Sequence, residues 1–74
     1  MKIDLRKTTN TELMKMLYEK YDRNWLQLNS EYKLAIDYNT KSVMLTKTGS
    51  NKLLVRNRKE LIDFLEKNKI EIII

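Results

Sequence analysis

The chain has 74 residues, 42% hydrophobic and 34% charged, with a formal net charge of +5. That length predicts one small domain over 1–74 and excludes two lobes with a cleft between them. Cysteine and histidine are absent and glycine occurs once. A disulfide framework, a thiol or imidazole nucleophile, a Cys/His zinc site and a glycine-loop nucleotide site are thereby excluded.

Residues 1–6 alternate, with Met1, Ile3 and Leu5 against Lys2, Asp4 and Arg6, the pattern of a half-buried strand. Thr9 and Glu12 stand at capping-box spacing, so a helix is predicted over 9–24. Leu13, Met14, Leu17, Tyr18, Tyr21 and Trp25 form its apolar stripe. Asp22-Arg23-Asn24 marks its end. Residues 32–38 alternate again, Asn39-Thr40-Lys41 reads as a turn, and 42–47 as the next strand. Thr48-Gly49-Ser50-Asn51 is a second turn and 52–56 a third strand of the meander. Asn57 caps a second helix over 58–67, with Leu61, Phe64 and Leu65 buried. A last strand is predicted over 70–74. The fold class is α+β: one two-layer domain in β-α-β-β-β-α-β order, an antiparallel meander with two helices on one face.

Two tight turns set the register. Leu34 and Ile36 oppose Leu45 and Val43, and Leu45 opposes Leu54. Tyr32, Leu34, Ile36, Val43, Leu45 and Leu54 then face the helices, and Tyr38 shares that side. The opposite face carries Lys33, Asp37, Ser42 and Thr46, but also Ala35, Met44, Leu53 and Val55. That is more apolar than a solvated face needs, so a terminal segment or a partner is expected to cover it, with Met44, Leu53 and Val55 as the contact.

Nothing in the chain reads as catalytic. Asp4, Asp22, Asp37 and Asp63 are spread over four elements and form no metal cluster or acid/base pair. No metal or cofactor is expected, and a chain this short does not easily wall off a pocket. The most apolar stretch, Ile70-Glu71-Ile72-Ile73-Ile74, is far short of the ~20 residues that span a bilayer. No signal-peptide pattern opens the chain. A cytoplasmic, non-enzymatic protein without a membrane partner is the expectation.

Charge is the informative feature. Lys41, Lys47, Lys52, Arg56, Arg58 and Lys59 fall between residues 39 and 59 with no acidic residue among them. The remaining nine basic and ten acidic residues nearly cancel. Lys47, Lys52, Arg56, Arg58 and Lys59 are predicted to converge where the second helix begins, as a site for nucleic-acid phosphates, DNA or RNA. The aromatic residues are assigned to packing, which disfavours base stacking.

The α-β-β-β-α order over 9–68, with Arg56-Asn57-Arg58-Lys59-Glu60 opening the second helix, resembles the layout of the double-stranded-RNA-binding domain. That resemblance implies phosphate contacts from the second helix's N-terminus. The histidine-bearing loop of that family has no counterpart here. Lys, Asn and Ile fill 25 of the 74 positions, a bias of AT-rich coding such as that of low-GC bacteria, phages and plasmids. An alternative function follows from it. A phage or mobile-element inhibitor would dock its basic face on an acidic host protein, such as a CRISPR-type effector. A third reading is a self-assembling structural protein, a homodimer paired through residues 1–6 or 70–74.

Overall fold

The computed structural model of the chain describes residues 1–50, 52–55 and 57–74. In chain order they form β1 (Lys2–Ile3), α1 (Asn10–Tyr21), β2 (Trp25–Gln27), β3 (Tyr32–Ile36), β4 (Val43–Lys47), β5 (Leu53–Val55), α2 (Arg58–Lys67) and β6 (Ile72–Ile73). The fold is α+β. An antiparallel sheet of order β2-β3-β4-β5 forms the meander, and β1 pairs antiparallel with β6 beside it.

Helix α1 begins where the sequence places it. The Thr9 hydroxyl accepts from the Glu12 N–H, and the Glu12 carboxylate accepts from the Thr9 N–H, both at 3.1 Å. It ends three residues earlier than expected, at Asp22 in the left-handed conformation. Trp25 is therefore not on a helix. Asn24 instead bonds the end of β3 on both sides: its carbonyl accepts from the Ile36 N–H at 2.9 Å, and its amide donates to the Ile36 carbonyl at 2.7 Å. Those bonds seed β2, a fourth meander strand. Asn29 closes the β2–β3 hairpin by accepting from the Glu31 and Tyr32 N–H groups. With β2 in place the order between the helices is four strands, which departs from the RNA-binding layout.

Leu34 pairs with Leu45 and Ile36 with Val43, as the alternation predicts. The β4–β5 register differs. Leu45 pairs with Val55 and Thr46 with Leu53, so Leu54 is an extra residue in a β-bulge. One inserted residue swaps the faces beyond it. Val55 is only 5% exposed and joins the core, while Leu54 is 37% exposed. The contact face predicted from Met44, Leu53 and Val55 thus loses Val55.

Leu26, Leu34, Ile36, Val43, Leu45 and Val55 line one side of the meander and meet Leu13, Met14 and Leu17 of α1 and Leu61 and Leu65 of α2. Both helices therefore cover the same face. Ile3, Leu5, Ile72 and Ile74 complete this cluster, so the terminal strands extend the core and leave the outer face of the meander open. Asn57 caps α2 by accepting from the Glu60 N–H at 2.8 Å. Its C-terminus closes with Lys69 in the left-handed region, the Lys69 N–H on the Glu66 carbonyl and the Ile70 N–H on the Leu65 carbonyl. No helix among the described residues is long and apolar enough to cross a membrane.

Candidate functional site

The described members of the predicted cluster, Lys47, Lys52, Arg58 and Lys59, do not assemble as one site. Strand β4 separates its members. Lys47 ends that strand, and the pairing of Thr46 with Leu53 sets Lys52 at the same, turn end of the hairpin. Arg58 starts α2 and lies with Lys41 at the other end, five strand residues away, or roughly 17 Å. Lys59 is exposed on α2. Arg56 lies outside the described residues.

A different basic site forms at the Lys41 end. Arg6 and Lys7 from the segment after β1, Lys41 from the β3–β4 turn and Arg58 from α2 line an open groove of about 460 Å³. Thr8, Thr9, Asn10 and Thr11 complete its lining. None of these lining residues is acidic.

Asn10 holds the groove together. Its amide donates to the Lys41 carbonyl at 2.9 Å, and its Oδ1 accepts from Nη1 of Arg58 at 2.7 Å. Arg58 also donates from Nη2 to the Thr8 carbonyl. A guanidinium has five N–H donors, so these contacts orient Arg58 and leave donors for a ligand. Lys41 adopts a positive φ of 60°, and Asp37 sets the turn that carries it. Oδ1 of Asp37 accepts from the Asn39 and Thr40 N–H groups at 2.8 and 3.0 Å. The Thr40 and Asn39 bonds lower the Asp37 pKa, and the Lys41 charge adds to them.

Two carboxylates bond residues of the lining. Arg6 pairs with Glu66, and both side chains are solvent-exposed. Glu12 sits on the Thr9 N–H, and that backbone bond, followed by the Thr9 hydroxyl, lowers its pKa. The α1 N-terminus is thus already capped by an anion of its own. The positive character of the groove comes from Lys7, Lys41 and Arg58, with Arg6 shared with Glu66, and not from free helix N–H groups. The larger groove of about 540 Å³, between β1, β6 and α2, mixes Lys2, Arg6 and Lys69 with Asp4, Glu66 and Glu71 and selects neither sign.

The aromatic residues are more exposed than the sequence suggests. Tyr32 packs edge-on against Phe64 as core. Trp25 is 36% exposed on the outer face of the meander, and Tyr38 is 61% exposed beyond β3. Each carries cations. The Arg23 guanidinium lies 3.8 Å from the Trp25 ring centroid and 5.0 Å from that of Tyr21, with Lys33 at 5.6 Å from Trp25. The Lys41 Nζ lies 4.7 Å from the Tyr38 centroid. Met44 and Leu53 share the outer face with Trp25.

Sequence reasoning missed Arg6 and Lys7 because both are distant in sequence from the basic run, and Tyr38 because the alternation assigns it to the core face. The usable signal was Asn10, a polar residue at the first helical position with a side chain long enough to bridge two loops. No family model matches the chain, and comparison with curated proteins and with solved structures returned no match.

Proposed function

We propose that this protein is a small non-enzymatic binding module that engages nucleic-acid phosphates through the groove of Arg6, Lys7, Lys41 and Arg58. The observation that carries the reading is that four basic residues from three separate parts of the chain, one of them also paired with Glu66, line one open concavity whose lining has no carboxylate. Phosphate contacts of this kind set affinity and orientation and carry no base sequence. Each phosphate neutralised releases counterions.

The test is fluorescence anisotropy with labelled oligonucleotides over a salt series. Three to four contacts predict a log–log salt slope of roughly −2 to −4, depending on strandedness, with little sequence preference. Replacing Lys7 and Lys41 with Gln should lower that slope by about one to two, whereas the same change at Lys47 and Lys52 should leave it in place. Absence of binding at about 50 mM salt with tens of micromolar protein refutes the reading.

A second reading is favoured by the outer face. Trp25, Met44, Leu53 and the bulged Leu54 leave apolar surface open there, beside Arg23 and Lys33. An apolar centre with a cationic rim suits a protein partner with an acidic surround. A protein recovered from nuclease-treated lysate that is lost on Leu53→Lys would support it.

A further inference from the structure

We propose that the groove takes a single strand in preference to a duplex, with the Tyr38 ring stacking on a base while its phosphate lies at Lys41. This rests on the nucleic-acid reading of the groove and adds the class of strand.

Three observations carry it. Tyr38 is the most exposed of the large aromatic side chains, at 61%. Lys41 belongs to both features: it lines the groove, and its Nζ lies 4.7 Å from the Tyr38 ring centroid while donating to the Tyr38 carbonyl. The ring is also held in place. Tyr18 meets it in a T-shaped contact with centroids 6.3 Å apart and planes at 83°. A fixed, exposed ring next to a lysine that lines a cationic groove is the pairing that single-strand sites use: a charge for the backbone and a π-face for the base. A duplex keeps its base faces inside the stack, so Tyr38 has nothing to stack on unless a base is flipped out.

Trp25 is the weaker candidate: it is 36% exposed against 61% for Tyr38, and it carries two cations, Arg23 and Lys33, where Tyr38 carries Lys41. Arg23 covers the Trp25 ring at 3.8 Å and is tied down by a bond from Nε to the Trp25 carbonyl at 3.2 Å. A base on that face of Trp25 would have to displace the guanidinium, as a base on the Lys41 side of Tyr38 would displace the more distant ammonium at 4.7 Å.

The experiment compares a labelled single strand of about 12 nucleotides with a duplex of the same length at one fixed salt concentration. Wild type should bind the single strand about tenfold more tightly. Tyr38→Ala should remove most of that preference, with single-strand affinity falling more than duplex affinity. Tyr38→Phe should retain it, because the ring and not the hydroxyl does the stacking. Exposure of Tyr38 makes both variants compatible with the fold, and a thermal melt checks that. Equal affinity of wild type for the two forms, or a Tyr38→Ala protein that still prefers the single strand, overturns the inference. If both forms bind equally and both depend on Lys7 and Lys41, the groove reading stands and the single-strand inference alone falls. If neither form binds, both fall.

Discussion

Replacing Asn10 with Ala tests whether the fold and the groove share one support. Asn10 is partly buried and joins three chain segments: its own helix start, the Lys41 carbonyl and the Arg58 guanidinium. Alanine removes one neutral hydrogen bond, with a net worth of about 1 kcal/mol, and one bond to a charged group, worth about 1.5–3 kcal/mol. Water can enter the open groove and re-satisfy the two groups left behind, which argues for the low end of each figure. Alanine also gains a few tenths of a kcal/mol in helix propensity at the first helical position. The net expectation is a loss of about 2 kcal/mol, a sizeable part of what a domain of this size has. For a chain of this length that corresponds to a melting point lower by roughly 8–16 °C. The assay is thermal unfolding by circular dichroism, paired with anisotropy on the same preparations. Affinity should fall in step, because Arg58 and the Lys41 turn lose the residue that holds them together. A melting point within about 2 °C of wild type would show that these bonds contribute nothing, and the groove would then lack the support assigned to it.

Further outcomes follow from the bulge and the turns. Val55→Lys should unfold the protein, since it places a charge in the core, whereas Leu54→Lys should change stability by less than about 0.5 kcal/mol. Urea titrations of the two variants decide whether the bulge is where β5 places it. Asp37 has a folded-state pKa below its ordinary value because the Thr40 and Asn39 N–H groups favour the carboxylate. Its stabilising effect is therefore complete above the ordinary carboxylate pKa of about 4 and is lost as pH falls through the lower folded-state value. Asp37→Asn should flatten that acid-side loss in a stability–pH profile. An unchanged profile would mean that the turn does not depend on the charge.

Much of the architecture is legible in the chain. The capping box of Thr9 and Glu12, the Asn57 cap, and the alternation through β3 and β4 are all local. They depend on backbone groups within a few residues and on a side-chain period of two or 3.6, which a sequence displays directly. The pairing of Leu34 with Leu45 follows from the same period and a short turn. Three features were decided only in the tertiary structure. Trp25 stands four residues after Tyr21 and so continues the helical stripe, yet Asn24 binds Ile36 and turns the chain into a strand. Leu53-Leu54-Val55 reads equally well in two registers, and the core accepts Val55 opposite Leu45 by bulging Leu54. The basic run from Lys41 to Lys59 is contiguous in sequence, but a hairpin sends its members to opposite ends of the sheet. Arg58 is tied to the Lys41 turn by Asn10, which bridges segments separated by 31 and 48 residues, and Arg6 and Lys7 line the same groove. Periodicity reports which face a residue takes; which distant loops share an end of the sheet depends on strand direction and long-range hydrogen bonds, and those exist only once the chain has folded.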